Sequence, residues 1–204
     1  ANATLLSSVS PDASAYCPSL LPKKRPCSAF SFGADASYSY ASALLALGCS
    51  VVSFDAYAQS GTRRVSANHT IIPLALGNEN GITYSEAGAI YPTMTLPVLI
   101  ASTPAEKLDV LRAVVSTMGE WKVLKGVINS GILSEVRQLS LRLVFTDPAL
   151  WPNYEVVLDS LRAAGFLPLY SARTRDATYL RVQEGDLTLY SAYEVSYGNS
   201  RVYG

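Results

Sequence analysis

The stretch from Cys27 to Asp55 reads CSAFSFGADASYSYASALLALGCSVVSFD and decides the fold. Its pattern predicts, in order, a strand over 28–32, a turn at Gly33, a helix over 38–47 that ends at Gly48, and a second strand over 51–54. Asp55 follows that second strand directly. A strand, a glycine turn, a helix and a second strand with an acidic end form the first βαβ unit of a nucleotide-binding α/β sheet.

The rest of the chain continues to alternate strands with helices. A loop or short helix is predicted over 56–67 and an irregular, proline-interrupted stretch over 82–103. Further strands are predicted at 69–76, 108–115, 136–145 and 167–172, with helices at 120–129 and 153–164. Two late strands, 178–182 and 192–197, are expected to be antiparallel. The predicted fold is α/β and Rossmann-like: a mostly parallel central sheet, helices on both faces, and antiparallel strands at the C-terminal edge.

Composition sets the size of the protein and excludes several classes of function. The chain has 204 residues, 49% of them hydrophobic, with 16 basic and 16 acidic side chains. These values predict one domain, residues 27–204, preceded by an extended lead-in segment, residues 1–26. The zero net charge argues against a nucleic-acid partner. No apolar run is long enough to span a membrane, and no cluster of cysteine and histidine predicts a metal site.

Sequons and cysteines indicate the compartment. Asn2 and Asn68 each begin an Asn-x-Ser/Thr sequon, so we expect N-linked glycans there. Cys17 and Cys27 are separated by three prolines, which suits a small loop closed by a disulfide worth roughly 2 to 3 kcal/mol. Cys49 is then expected to be a buried thiol. The alternative is three reduced cysteines. The sequence therefore favours an extracellular or secretory-pathway location.

Several short motifs follow one another in a fixed order. They are Asp12-Ala13-Ser14-Ala15, Cys17, Cys27, Ser31-Phe32-Gly33, Gly48-Cys49-Ser50-Val51, Phe54-Asp55-Ala56, Leu108-Asp109-Val110-Leu111-Arg112, Glu120-Trp121-Lys122-Val123-Leu124, Gln138-Leu139 and Tyr193-Glu194-Val195-Ser196-Tyr197-Gly198-Asn199. In this order they resemble the FkbM-related, methyltransferase-like proteins of the eukaryotic secretory pathway, a branch of the S-adenosylmethionine-dependent methyltransferase superfamily. The resemblance extends from about residue 12 to residue 199, and it implies a methyltransferase fold.

The chain departs from this family at positions beside the methyl donor. The family has an Asp-x-Glu-Gly signature after its fourth strand, whereas residues 113–119 of this chain contain no carboxylate. Arg142 and Val144 stand where the family has a glutamate and a histidine, and Ala15 stands where it has a lysine. The resemblance therefore implies a degenerate member of the family.

Three residues are candidates for binding the donor if binding is retained. Gly33 would face the amino-acid end of the S-adenosylmethionine donor, and Asp55 would accept hydrogen bonds from its ribose hydroxyls. Asp35 is the third candidate. The alternatives are a plain solvated strand end for Asp55 and an ordinary turn aspartate for Asp35.

The sequence predicts no catalytic residue. His69 is the only histidine, and it lies at the amino end of a predicted strand, opposite the expected ligand crevice. Glu120 suits the start of a helix, where the dipole favours a carboxylate. Glu194 is explained equally well by cross-strand pairing.

The sequence favours a catalytically degenerate domain used as a structural or interaction module, with protein partners or self-assembly and no cofactor. The alternative is an active S-adenosylmethionine-dependent O-methyltransferase acting on a glycan or a small hydroxylated molecule. A nucleotide-binding module without transfer chemistry is a third hypothesis. Residues 113–119 discriminate among them. Donor contacts from Ser116 or Thr117 would favour the enzyme, and filling of the donor space by Val114 and Met118 would oppose it.

Overall fold

A computed structural model describes residues 16–33, 38–58, 61–84, 88–103, 107–175, 177–181 and 188–203. Its strands are β1 (Ser28–Phe32), β2 (Ser50–Phe54), β3 (Arg63–Ser66), β4 (His69–Ile72), β5 (Ala75–Leu76), β6 (Gly81–Tyr84), β7 (Ile90–Met94), β8 (Val110–Val115), β9 (Gln138–Val144), β10 (Phe166–Arg173), β11 (Tyr179–Arg181), β12 (Thr188–Tyr190) and β13 (Ala192–Asn199). Its α-helices are α1 (Ser39–Ala46), α2 (Leu96–Ser102), α3 (Met118–Asn129), α4 (Trp151–Ala163) and α5 (Ser200–Tyr203).

The central sheet has eight strands in the order β10-β13-β9-β8-β1-β2-β4-β3. The five strands from β9 to β4 in this order are parallel. At one side β13 runs antiparallel between β9 and β10, and at the other β3 is antiparallel to β4. The predicted Rossmann-like α/β fold, with a mostly parallel sheet and antiparallel pairing at its C-terminal side, is therefore confirmed.

Successive side chains of a strand point to opposite faces of the sheet, and both faces of this sheet carry a hydrophobic core. One core packs α3 and α4 against the sheet; its largest members include Phe30, Leu111, Leu139, Trp121 and Tyr154. The other core packs α1 against the opposite face and includes Ala29, Val51, Val110, Tyr40 and Leu44. Helices therefore lie on both faces of the sheet, as the alternation of strands and helices predicts.

The segment between β2 and β8 differs most from the sequence prediction. Residues 63–66 form a strand, where a loop or short helix was expected. The strand predicted over 69–76 ends at Ile72, because Pro73 has no amide hydrogen to continue the ladder. Beyond Pro73 the chain enters a separate three-stranded sheet in the order β5-β7-β6, which is followed by α2. In the described part of 82–103, residues 82–84 and 90–94 form strands and residues 96–102 a helix, where an irregular stretch was expected.

The predicted disulfide between Cys17 and Cys27 is wrong. Cys27 is bonded to Cys49, and the two Cα atoms are 4.4 Å apart. These cysteines immediately precede β1 and β2, which are neighbouring parallel strands in the register Ser28 to Ser50, so their side chains meet at the amino edge of the sheet. Cys17 is a buried free thiol, and the expectation that Cys49 is a thiol is wrong too.

Residues 16–26 of the lead-in segment pack against the domain. The side-chain amide of Gln138 in β9 accepts from the Cys17 backbone N–H at 2.8 Å and donates to its carbonyl oxygen at 2.9 Å. Arg25 donates two hydrogen bonds, of 2.7 and 2.8 Å, to the carboxylate of Asp109, which is only 1% exposed. Arg137 also pairs with Asp109, at 3.3 Å, so this buried carboxylate ties the lead-in segment to the start of β9.

Candidate functional site

A cleft opens at the carboxyl ends of β1, β2 and β8. It encloses about 970 Å³, and Gly33, Asp55 and Ser116 line it where these three strands end. Residues of β5, β6 and β7 line it as well, together with the start of α3. In the sheet, β1 lies between β2 and β8. After β1 the chain adds β2 on one side and later returns to add β8 on the other, so the strand order reverses between β1 and β8. Open α/β sheets bind their ligands at such a switch point.

Asp55 presents a half-buried carboxylate to this cleft. Its Oδ1 accepts the backbone N–H of Tyr57 at 3.0 Å, and its Oδ2 accepts the hydroxyl of Tyr38 at 3.5 Å. A carboxylate has about four lone-pair positions, so these bonds leave capacity for a ligand diol. The structure places Asp55 where the sequence predicts it, and its role in ribose binding stays a prediction.

Gly33 ends β1 and is held in a conformation that only glycine adopts readily. Its φ is +94°, and a Cβ atom there would lie 2.9 Å from Cβ of Val114. Val114 therefore packs against the turn. Val114 and Met118 both line the cavity, which remains open beside them. Asp35, the remaining candidate for donor binding, lies outside the described residues.

Glu120 caps helix α3 from within the cleft. Its Oε2 accepts the backbone N–H groups of Ser116 and Thr117 at 2.7 and 2.8 Å, and the Ser116 hydroxyl at 2.8 Å. The Thr117 hydroxyl in turn accepts the Glu120 N–H at 3.2 Å, which completes a capping box. The backbone N–H groups of Ser116 and Thr117 and the Ser116 hydroxyl are thus engaged by the protein itself.

The lining of the cleft is acidic. Among the described residues that line it, the charged side chains are Asp55, Glu79 and Glu120, and none is lysine, arginine or histidine. Two aromatic rings stand beside these carboxylates: Tyr57 and Tyr91 meet edge to face, with centroids 5.8 Å apart. Burial raises the pKa of Tyr91, and the neighbouring Tyr57 and Glu120 raise it further. A positively charged ligand fits this electrostatic environment better than an anion does.

His69 and Glu194 lie outside the cleft lining. His69 is buried at the start of β4, and its Nε2 lies 2.9 Å from the Ser53 hydroxyl. Burial lowers the pKa of His69, and the nearby Arg63 lowers it further. Glu194 is buried in β13, with Oε1 at 4.0 Å from Nη2 of Arg112. Both positions fit structural roles.

The turn between β5 and β6 forms one lip of the cleft and touches helix α3. A Cβ atom at Gly126 would overlap Oδ1 of Asn78, so this glycine of α3 makes room for the turn. Asn80 accepts the backbone N–H of Thr95 at 3.0 Å, which joins the turn to the start of α2. No sequence pattern indicates the contact between Asn78 and Gly126, because the two residues are far apart in the chain.

Comparison with known proteins bears on the fold. The sheet order and the reversed β13 give the chain a methyltransferase-like Rossmann fold. A precorrin-6y C5,15-methyltransferase from Geobacter metallireducens is 13% identical, with a TM-score of 0.45, over 90% of this chain and 85% of that one. An S-adenosylmethionine-dependent methyltransferase from Agrobacterium tumefaciens is 10% identical, with a TM-score of 0.46, over 92% of this chain and 64% of that one.

A third solved structure, an N-methyltransferase from Bradyrhizobium japonicum in complex with S-adenosyl-L-homocysteine, is 9% identical, with a TM-score of 0.42. It matches over 85% of this chain and 78% of that one. Likenesses of this size carry no activity or ligand over to this chain. No protein-family model and no curated protein matches it. The FkbM-related assignment therefore stays a prediction.

Three further expectations concern glycosylation, metal binding and membrane spanning. Asn68 is exposed on the turn between β3 and β4, whereas Asn2 lies outside the described residues. Within the described part of the chain, no group of histidine, cysteine, aspartate and glutamate side chains is arranged to hold a metal ion. None of the helices in that part has the length and hydropathy needed to cross a membrane.

Proposed function

We propose that this chain is a methyltransferase-like domain whose cleft binds S-adenosylmethionine or S-adenosylhomocysteine. The observation that carries the proposal is the position of Asp55, whose carboxylate faces an open cavity of about 970 Å³ at the carboxyl edge of the sheet. Hydrogen bonds from a ribose diol would complete the acceptor capacity of this carboxylate. The acidic lining supports the same ligand, because the sulfonium and ammonium groups of the donor are both positive.

The acidic lining opposes the hypothesis of a module for phosphorylated nucleotides. Phosphate groups are bound by lysine, arginine or clustered backbone N–H groups. The described lining supplies none of these cations, and the N–H groups of Ser116 and Thr117 already bind Glu120. We therefore expect adenosine 5′-triphosphate to bind far more weakly than S-adenosylhomocysteine.

Calorimetric titration with S-adenosylhomocysteine and S-adenosylmethionine tests the proposal. We expect micromolar binding that Asp55→Asn weakens by roughly 10- to 150-fold, since a hydrogen bond to a charged group contributes about 1.5–3 kcal/mol. Asp159→Asn is the matched control, because Asp159 is exposed on α4 and belongs to a surface ion pair with Arg162. Absence of binding by folded protein at millimolar ligand would overturn the proposal.

The second candidate is the degenerate structural or interaction module that the sequence favours. The contact between Gly33 and Val114 and the engagement of Ser116 and Thr117 by Glu120 support it, because both are complete without a ligand. In this case the folded protein would bind neither nucleoside. Light scattering coupled to size-exclusion chromatography would then look for the expected self-assembly.

Methyl transfer itself is a separate hypothesis. An O-methyltransferase must remove a proton from the acceptor hydroxyl, and the described lining offers carboxylates and tyrosine hydroxyls for this task. Incubation with methyl-labelled S-adenosylmethionine and a panel of glycans and small hydroxylated molecules tests it. Transfer of label that Asp55→Asn abolishes would establish the active alternative over the degenerate one.

We also propose that the chain is a secreted or luminal glycoprotein. The disulfide between Cys27 and Cys49 supports an oxidising compartment, and the exposure of Asn68 supports glycosylation there. Glycosylation at Asn2 and membership of the FkbM-related branch belong to the same proposal.

A further inference from the structure

The lining of the cleft combines aromatic rings with negative charge. Tyr57, Tyr91, Glu79 and Glu120 all line the cleft, and we refer to these four residues together as the acidic aromatic wall. Tyr57 and Tyr91 form an edge-to-face pair, and Glu120 is close enough to Tyr91 to raise the pKa of its hydroxyl. Rings and carboxylates that line one cavity are suited to a cation, because a cation is attracted both to the face of a ring and to a carboxylate.

Among the side chains that the structure describes, no lysine, arginine or histidine lines the cleft. The donor proposed above would use part of the negative charge, since it carries one net positive charge. Three carboxylates line the cavity, so negative charge remains for a second ligand.

The cavity also has space for a second ligand. At about 970 Å³ it lies near the upper end of the roughly 300–1,000 Å³ that small-molecule pockets span. Asp55 follows β2, whereas Glu79 lies on the turn between β5 and β6, so different elements supply the two carboxylates. One ligand at Asp55 therefore does not account for the charge at the lip.

We propose that the acidic aromatic wall binds the ammonium group of a second ligand, a small organic amine with an apolar or aromatic body. This inference rests on the proposed function, in that the amine would share the cleft with the nucleoside. The amine is recognised in its protonated form, its charge facing Glu79 and Glu120 and its apolar body facing Tyr57 and Tyr91.

Three probes of similar shape and different charge test the proposal at pH 7: 2-phenylethylamine, 2-phenylethanol and 3-phenylpropionate. Each is titrated into the protein alone and into protein saturated with S-adenosylhomocysteine. We expect the amine to bind at least tenfold more tightly than the alcohol, and the carboxylate most weakly. Added salt should weaken binding of the amine and leave the alcohol unchanged, because only the former interaction is between charges.

Charge-removing variants locate the site. Glu79→Gln and Glu120→Gln should each lower the affinity for the amine severalfold, while binding of the alcohol stays the same. Glutamine keeps the capping box of α3, so Glu120→Gln is expected to fold. Glu155→Gln on the exposed surface of α4 is the matched control, and it should change nothing.

The outcomes separate this inference from the proposed function. Equal binding of amine and alcohol, or preference for the carboxylate, would overturn the inference even where S-adenosylhomocysteine binds. The inference would also be overturned if Glu79→Gln and Glu120→Gln leave the preference for the amine intact, since the negative charge that attracts the amine would then come from other residues. Preference for the amine that both variants reduce would support it even if the nucleoside fails to bind.

Discussion

His69 shows how one buried side chain ties stability to pH. Its Nε2 lies 2.9 Å from the Ser53 hydroxyl, and the ring of Tyr38 packs edge-on against it with centroids 5.8 Å apart. Burial and the positive charge of Arg63 both disfavour the imidazolium, so the pKa of His69 in the folded protein is below its ordinary value. Neutral His69 is therefore part of the folded state.

Acidification should destabilise the protein through this histidine. In the unfolded chain the pKa is about 6.5, so below that pH the unfolded state binds more protons than the folded state does. The stabilisation is complete above pH 6.5 and is lost as the pH falls through the folded pKa. We expect the Tm to decrease between pH 7.5 and 5, and to decrease less in His69→Gln. Parallel Tm curves for the two proteins would contradict this.

At the scale of single residues, the sequence identifies Asp55 but not the rest of the acidic lining. Asp55 follows a strand with a clear apolar pattern, so its place at the carboxyl edge is fixed by the βαβ unit. Glu79 lies on a turn that reaches the cleft only through the small sheet, and no local pattern encodes that approach. Glu120 was interpreted as a helix-start carboxylate, and its capping box agrees with that interpretation.

At the scale of elements, the disulfide joins the starts of β1 and β2. The bridge between Cys27 and Cys49 closes a loop with a sequence separation of 22 residues, which contains α1. Closing such a loop stabilises the fold by about 3 kcal/mol in the chain-entropy model. Its pairing could not be predicted from spacing, because it depends on which strands become neighbours in the sheet.

Removing this bridge should lower the Tm by roughly 6–12 °C, since each kcal/mol corresponds to about 2–4 °C in a chain of this size. Cys27→Ala with Cys49→Ala should show the decrease, measured by calorimetry under oxidising conditions. Cys17→Ala is the control, because Cys17 is a free thiol. Addition of reductant should affect the wild type and Cys17→Ala alike. A larger effect of reductant on the wild type alone would point to a bond that includes Cys17.

The small sheet of β5, β6 and β7 was missed because its strands are two to five residues long and β7 contains Pro92. β5 is too short to show a period of two, and the proline in β7 argues against a strand. The turn between β5 and β6, which forms one lip of the cleft, packs against Gly126 of α3. A methyl group at Gly126 would displace the side chain of Asn78.

Gly126→Ala should therefore loosen the lip of the cleft without weakening the helix. Alanine in a helix is favoured over glycine by about 1 kcal/mol, so the Tm should stay the same or rise. The displaced Asn78 should speed amide hydrogen exchange at residues 77–81. In the double variant Asn78→Ala, Gly126→Ala the overlap is absent, and slow exchange should return if the lip repacks. Unchanged exchange in the single variant would show that the turn does not depend on this contact.

At the scale of the whole molecule, the cleft and the exposed sequon lie at opposite ends of the sheet. Asn68 immediately precedes β4, which runs parallel to β2, so it lies at the amino edge of the sheet. The cleft opens at the carboxyl edge. A strand spans about 3.3 Å per residue, so the four residues of β4 alone separate the two edges by roughly 13 Å. A glycan at Asn68 would therefore be attached at the edge of the sheet opposite the cleft.

This arrangement predicts that glycosylation and ligand binding are independent. Protein produced through a eukaryotic secretory pathway should carry a glycan on Asn68, which an N-glycanase removes and Asn68→Gln prevents, as measured by mass spectrometry. Asn2→Gln, assayed in parallel, distinguishes the two sequons. Affinity for S-adenosylhomocysteine should be the same with and without the Asn68 glycan, because the sugar is attached at the edge of the sheet opposite the cleft. An affinity that rises on deglycosylation at Asn68 would contradict the separation of the two ends, and an unmodified Asn68 would remove the support for a luminal glycoprotein.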